Sequence, residues 1–223
     1  MSYLRTAILA FISFSIVSQV FAASRNGFEY IEAGAQGNDG YAVFKLEGMI
    51  AYPMAREIED QLVQIPSDEK ILIDLNSGGG SVDEGIKIID IIKREINNGR
   101  NINTLVDQGA VCGSMCVPVF VQGVKRTAGS ASAFMFHGAR PFHSNIPNAE
   151  RTKRLLNIFI DAGVSQEFLN DLGNQGVFST PGEYWLSGRE LDQAKAGIIT
   201  RLLPAHRKFT PWTAPFDPQI RSR

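Results

Sequence analysis

The chain has 223 residues, of which 44% are hydrophobic and 20% charged, and this composition is typical of a globular protein with one core. Its 22 basic and 23 acidic residues give a formal net charge of −1. So balanced a charge argues against a nucleic acid or an anionic membrane surface as the partner.

The first 22 residues have the features of an export signal. Arg5 precedes an apolar run from Ala7 to Val20, and small or branched residues continue to Ala22, as at a signal peptidase site. The run is shorter than the roughly 20 apolar residues of a membrane-spanning helix, which favours a signal peptide over an uncleaved anchor. We expect cleavage near Ala22 and a periplasmic or secreted mature protein.

The remaining chain divides by composition into three parts. Residues 23–40 are polar and glycine-bearing without sustained periodicity, which predicts a leader segment. Residues 41–203 alternate apolar and helical patterns and form the predicted domain. Residues 204–223 are rich in proline and charge, so we expect a loosely ordered tail.

The first half of the domain is predicted to alternate strands and helices. Apolar runs and helical spacing indicate a strand over 41–48, a helix over about 53–64, a strand over 70–75 and a helix from 82 to 98. Between the last two lies a glycine cluster, Gly78–Gly80, which predicts a sharp turn and a close approach to a ligand.

A phosphate loop is the first alternative for such a cluster. The glycines lack both the Lys-Ser/Thr of a P-loop and the spacing of a dinucleotide fingerprint, so that interpretation is weak. Backbone N–H groups at the start of a helix can equally form an oxyanion hole.

The second half continues the alternation. We predict a strand over 102–107, an apolar helix from about 115 to 121, a turn over 123–128 and a strand over 133–137. Helical structure follows over 148–174, broken near Gly163, and then an extended connector over 180–186. A capping box at 187–190 precedes a short helix ended by Gly197, and the chain is extended again at 198–199.

Two residues in this half are candidates for nucleophilic chemistry. Ser114 lies at or just before the start of a buried helix, where the simplest interpretation is an N-cap. His137 ends a buried strand, and a lone histidine there is more often structural than catalytic. Taken singly, neither residue establishes an active site.

Cys112 and Cys116 flank Ser114 and are the only cysteines. In an oxidising compartment a disulfide that braces the turn is favoured, but two small buried thiols remain an equal alternative, because an i, i+4 pair in a regular helix is near the edge of disulfide geometry. The three histidines have no ligand-like spacing to the cysteines, so no metal site is expected.

Four motifs, taken together, carry a family resemblance. They are Asn76-Ser77-Gly78-Gly79-Gly80-Ser81-Val82, Gly113-Ser114-Met115, Met135-Phe136-His137 and Glu183-Tyr184-Trp185-Leu186-Ser187. In order and spacing they resemble the proteolytic subunit of the Clp protease and its crotonase-fold relatives, over roughly residues 41–202. The resemblance implies an α/β, ClpP/crotonase-like fold with repeated β-β-α units, a mostly parallel sheet and helices outside.

The resemblance also implies a catalytic arrangement. Ser114 matches the nucleophile, His137 its base, and the N–H groups of Gly79 and Met115 the oxyanion hole. Glu183 stands where the family has the third triad member, an aspartate. This sequence departs from the family at three further places: Gly78 replaces a proline, Gly113 an alanine and Cys116 a glycine.

These observations predict an ATP-independent, extracytoplasmic serine hydrolase, a peptidase that forms an acyl-enzyme on peptides or unfolded chains. No cofactor is expected. No ATPase partner is expected either, because ATP is absent from that compartment. A homo-oligomer is compatible with the resemblance. A Ser–Lys dyad ranks lower because it leaves His137 without a role. Acyl-CoA binding also ranks lower, because acyl-CoA is scarce outside the cytoplasm. The alternative from another class is a catalytically silent member of the fold that serves in binding or assembly.

Overall fold

The structure is a computed structural model that describes residues 28–31, 40–141 and 144–205. The predicted signal peptide, 1–22, lies outside the described residues. So do most of the predicted leader and, from residue 206 onward, the predicted tail. Within the described ranges, no helix is both long and apolar enough to cross a membrane.

The described residues form strands and helices in alternation. The strands are β1 (Phe28–Ile31), β2 (Tyr41–Ile50), β3 (Lys70–Gly80), β4 (Ile102–Val106), β5 (Val111–Gly113), β6 (Arg126–Gly129), β7 (Ala133–Phe136), β8 (Tyr184–Ser187) and β9 (Arg201–Leu203). The helices are α1 (Met54–Leu62), α2 (Val82–Asn97), α3 (Cys116–Phe120), α4 (Ala149–Asp161), α5 (Gln166–Asn174) and α6 (Gly188–Gln193).

The sheet confirms the predicted α/β class. Its strand order is β8-β7-β5-β3-β4-β6-β9, and β2 joins β3 and carries β1. Neighbouring strands are parallel except for β1 with β2 and β7 with β8. The succession β4-β5-α3 and β6-β7-α4 repeats a β-β-α unit, as the family resemblance implies.

Strand β3 is the branch point of the sheet. Its first half pairs with β4, whereas Ser77 in its second half pairs with Cys112 of β5. The prediction that this strand ends at Leu75 and that the glycines form a turn is wrong, because β3 continues through Gly80. The glycines serve close packing instead: a Cβ on Gly80 would lie 2.2 Å from the carbonyl oxygen of Ile50.

Helices α1 and α2 cover the sheet as their apolar periodicity predicts. The buried face of α1 includes Ile58 and Leu62, and that of α2 includes Ile88 and Ile92. The Ser81 side chain caps α2 by accepting a hydrogen bond from the Glu84 N–H. These helices lie within two residues of their predicted bounds.

The later helices also follow the sequence. The predicted break at Gly163, where φ is +78°, separates α4 from α5. Ser187 and Glu190 form the predicted capping box at the start of α6. Caps and glycine stops are local signals, which explains why the sequence reveals them.

The short strands differ most from prediction. β1 lies in the predicted leader, β5 was not predicted, and β6 begins inside the predicted turn over 123–128. The last strand, β9, comes after the predicted extended pair 198–199, and β2 passes its predicted end at Gly48 through a bulge. Strands of three or four residues carry too little periodicity to detect, since their neighbours in the sheet decide them.

Candidate active site

Ser114 occupies a sharp turn between β5 and α3. Its φ is +51°, a left-handed conformation that is uncommon for a serine. Two backbone hydrogen bonds hold this turn: the Ser114 N–H donates to the Met135 carbonyl at 2.8 Å, and its carbonyl accepts from the Val117 N–H at 3.1 Å. Met115 is the N-cap of α3 and makes no side-chain capping bond, so the interpretation of Ser114 as an N-cap is wrong.

The two cysteines lie on either side of this turn at disulfide distance. Their sulfur atoms are 2.05 Å apart and their Cα atoms 5.2 Å apart, which favours the bonded alternative over two free thiols. Cys112 belongs to β5 and Cys116 begins α3, and both side chains are fully buried. The bond therefore ties together the two elements that present Ser114.

The strand pairing brings His137 to Ser114. β5 and β7 are parallel, with Gly113 opposite Met135, so the residues that follow these strands meet at one edge of the sheet. The His137 Nε2 lies 2.7 Å from the Ser114 Oγ. The structure thus joins two residues that are separated in sequence and that the motifs predicted to act together.

The other ring nitrogen determines the tautomer. The His137 Nδ1 lies 2.6 Å from the carbonyl oxygen of Gly138, which can only accept a hydrogen bond. The Nδ1 therefore carries the proton in the neutral ring, and Nε2 is free to accept the Ser114 hydroxyl proton. This is the protonation state that a general base requires.

The pKa of His137 is lowered from its ordinary value, chiefly because burial disfavours the charged ring. The positive charge of Arg140 lowers this pKa further, whereas the hydrogen bond to the Gly138 carbonyl and the charge of Glu183 raise it. The net direction keeps the imidazole neutral, and so able to accept a proton, to a lower pH than for an exposed histidine.

Gly79 and Met115, the predicted oxyanion donors, lie beside Ser114, the predicted nucleophile. A Cβ on Gly79 would lie 2.6 Å from the Ser114 Cβ and 3.0 Å from the Met115 backbone nitrogen. The Gly79 N–H, however, donates to the Ser77 Oγ at 3.1 Å. Among the backbone hydrogen bonds of the described residues, none uses the Met115 N–H. One of the two predicted donors is thus unengaged, and the other has a partner.

Glu183 does not occupy the predicted place. It directly precedes β8, whose antiparallel pairing with β7 sets Tyr184 opposite Phe136 and brings Glu183 towards His137. Its carboxylate instead contacts Arg140 at 3.5 Å and accepts a hydrogen bond from the Trp185 Nε1 at 3.3 Å. No hydrogen bond between described residues joins Glu183 to His137. The Gly138 carbonyl lies at the His137 Nδ1, where the Glu183 carboxylate was expected.

A cavity of about 320 Å³ opens beside Ser114 and His137. Its apolar wall includes Val82, Pro118, Met135, Leu155, Leu156 and Phe159. Arg140 lines the same cavity and is the one charged side chain among the described residues that do so. An apolar side chain bound here would lie directly against the nucleophile.

The structure adds three functional candidates that the sequence does not reveal: Ser77, Gly138 and Arg140. Gly138 acts through its backbone carbonyl, which any residue could supply, and Ser77 through a side-chain hydroxyl that accepts the Gly79 N–H. Gly138 alone carries a weak signal, as a glycine after the candidate base; a Cβ there would lie 2.3 Å from the Phe178 carbonyl oxygen. Residues 40–141 and 144–205, with the short strand β1, contain no group of His, Cys, Asp and Glu side chains placed to hold a metal ion.

Comparison with known proteins gives one family match. The family model described as Clp protease matches residues 41–150, a segment that includes Ser114, His137 and both candidate oxyanion donors. Glu183 lies beyond the matched segment. No curated protein matches the chain.

Proposed function

We propose that the chain, whose residues 41–150 match the Clp protease family model, is an ATP-independent serine peptidase that acts outside the cytoplasm. The family is one of peptidases whose domains act on peptide substrates and oligomerise. The observation that carries the proposal is the 2.7 Å contact between the His137 Nε2 and the Ser114 Oγ. Such a contact is the defining feature of an activated serine nucleophile.

The proposed reaction follows from this geometry. His137 takes the Ser114 hydroxyl proton on Nε2, and the Oγ attacks a peptide carbonyl carbon. The negative charge that develops on the carbonyl oxygen is bound by the Met115 N–H, and by the Gly79 N–H once this leaves the Ser77 hydroxyl. The imidazolium then protonates the leaving amine, and a water molecule activated by the same ring hydrolyses the acyl-enzyme.

The Nδ1–H stays bonded to the Gly138 carbonyl through these steps. The carbonyl holds the ring in the correct tautomer but carries no full charge to stabilise the imidazolium. Glu183 supplies a negative charge nearby. In this proposal the wild-type site works as a Ser114–His137 pair, and the predicted Ser114–His137–Glu183 triad would form only if the Glu183 carboxylate left Arg140 for the ring.

The extracytoplasmic location is supported by two independent observations. The sequence of residues 1–22 has the pattern of a signal peptide. Cys112 and Cys116 lie at disulfide distance, and disulfides persist mainly in oxidising compartments.

Covalent labelling tests the proposed activity. The purified mature protein is treated with a fluorophosphonate, and we expect a single adduct on Ser114, detected by peptide mass spectrometry. Ser114→Ala is expected to abolish the adduct and His137→Gln to slow it by at least about 100-fold, because removal of the base leaves the hydroxyl protonated. Circular dichroism of each variant confirms that the fold is retained.

A folded wild-type protein that takes up no probe would contradict the proposal. That outcome would favour the binding or assembly alternative, to which the displaced Glu183 and the Ser77–Gly79 bond give some support. Labelling of cell fractions with the same probe tests the location. A labelled band that is confined to the cytoplasm and retains residues 1–22 would refute export.

A further inference from the structure

An ion pair that includes Arg140, a residue lining the cavity, lies close to the candidate base. The Arg140 Nη2 is 3.5 Å from the Glu183 Oε1, and the two side chains are 24% and 45% exposed. The other carboxylate oxygen of Glu183 accepts a hydrogen bond from the Trp185 Nε1 at 3.3 Å. Because Glu183 is half-exposed, a change of its rotamer would break these two contacts without disturbing the core.

Two acceptors are available to the single Nδ1–H of His137. The Gly138 carbonyl holds that proton in the structure, at 2.6 Å. The Glu183 carboxylate is near enough for its charge to raise the pKa of His137, although it makes no hydrogen bond to the ring. A carboxylate is the stronger acceptor for an imidazolium, so some other contact must keep it away.

We propose that Arg140 is a positioning residue that holds the Glu183 carboxylate off His137, so that the resting site is a Ser114–His137 pair oriented by the Gly138 carbonyl. This inference rests on the proposed function and deepens it, because it assigns control of the triad to a residue that the motifs do not contain. Loss of the Arg140 charge releases Glu183 to the ring.

The charges around the imidazole give the direction of the effect. The groups that act on His137 are the Arg140 guanidinium, which lowers its pKa, the Glu183 carboxylate and Gly138 carbonyl, which raise it, and the Ser114 hydroxyl on Nε2. Removing Arg140 deletes a nearby cation and frees an anion. Both changes raise the pKa of His137, so the acid limb of the pH–rate profile moves to higher pH.

Steady-state kinetics with a short peptide ester that ends in a large apolar residue test the inference. For Arg140→Gln we expect kcat on the plateau to rise by about tenfold, because a carboxylate then stabilises the imidazolium. The acid limb also moves to higher pH. The double variant Arg140→Gln/Glu183→Gln is expected to lose the gain in kcat, and Glu183→Gln alone to change kcat by less than about threefold.

Two further variants serve as controls. Arg140→Lys keeps the positive charge that pairs with the Glu183 carboxylate and should behave like the wild type. Arg56→Gln removes an exposed arginine that pairs with Asp60 on α1, away from the site, and should alter neither kcat nor the pH profile.

Two outcomes would overturn the inference. In the first, the acid limb shifts in Arg140→Gln but kcat shows no gain that the added Glu183→Gln removes. That result would show that Arg140 acts only through its charge. The other is a loss of about 100-fold or more in Glu183→Gln, which would show that Glu183 already orients the ring in the wild type.

A readout that needs no activity separates this inference from the proposed function. The ¹⁵N chemical shifts of the His137 ring, assigned by comparison with His137→Gln, report its pKa and the hydrogen bond at Nδ1. We expect Arg140→Gln to raise this pKa and strengthen the bond, and the added Glu183→Gln to reverse both. If Ser114 takes up no fluorophosphonate but these shifts appear, the proposed function fails and the inference about Arg140 stands; unchanged shifts overturn the inference itself.

Discussion

Gly79 is the residue at which the absence of a side chain matters most. Its φ is +104°, and a Cβ would lie 2.6 Å from the Ser114 Cβ and 2.7 Å from the Gly113 carbonyl oxygen. Strand β3 can therefore pass directly over Ser114 only with glycine at this position. Its neighbour Gly78 has no atom within 4 Å of the position that a Cβ would take, and so offers a matched comparison.

Gly79→Ala is expected to slow fluorophosphonate labelling of Ser114 by at least about 100-fold, because the methyl group would displace an oxyanion donor from the nucleophile. Gly78→Ala should label at close to the wild-type rate. The measurement is the rate constant of adduct formation by intact mass spectrometry. Equal rates in the two variants would show that the Gly79 N–H has no part in acylation.

The unit formed by β5, the Ser114 turn and α3 shows how elements present the nucleophile. β5 is held between β3 and β7, and α3 is a buried helix of five residues. Since so short a helix contributes little intrinsic stability, the Cys112–Cys116 link is a substantial part of what fixes its start. Both cysteines are fully buried, so the link is protected from solvent in the folded state.

Replacing both cysteines by alanine is expected to lower the free energy of unfolding by about 2 kcal/mol, the entropy of closing so small a loop. It should also slow Ser114 labelling, because the turn loses a constraint on its positive φ. Alanine is preferred to serine since a buried, unpaired hydroxyl would add its own cost. Urea denaturation and labelling rates measure the two effects.

A thiol-alkylating reagent provides the control, since it should modify the wild-type protein only after unfolding and reduction. If the double variant, or the wild-type protein with reductant present, labels Ser114 as fast as the untreated wild type, the cysteine pair contributes to stability alone.

Acidic side chains on the sheet link the stability of the whole molecule to pH. Asp74 of β3 has its pKa raised to about 6, first because it is buried and then because Asp107 is nearby; Lys45 acts in the opposite direction. The folded state therefore binds a proton that the unfolded state has already released between about pH 4 and pH 6. Stability falls as the pH rises through this window.

Asp74→Asn removes the buried charge and is expected to raise the free energy of unfolding at pH 7.5 by on the order of 1 kcal/mol, with little gain at pH 4. Urea denaturation at the two pH values measures the difference. Asp68→Asn, at an exposed turn position, controls for the loss of one negative charge. A gain of equal size at both pH values would show that the burial of Asp74 is not the cause.

At the scale of the whole molecule, the sequence predicts the class of fold and most of the helices. Helices α1 and α2 carry apolar periodicity in their own residues, and α2 and α6 begin at a local cap, Ser81 and the Ser187–Glu190 box. Strands β5, β6 and β9 carry no such signal, because three or four residues become a strand only when neighbouring strands supply their hydrogen bonds.

The candidate site divides in the same way. By itself the sequence determines which residues are candidates for the reacting groups, Ser114 and His137, because their side-chain chemistry and the order of the motifs are visible in it. Only the tertiary structure decides which acceptor holds the His137 ring, and it places the Gly138 carbonyl there while Glu183 contacts Arg140. The physical reason is that every residue has a carbonyl, and that a half-exposed carboxylate has several rotamers. Which of these two acceptors meets the ring therefore depends on distances of a few ångströms, and no local sequence pattern encodes such distances.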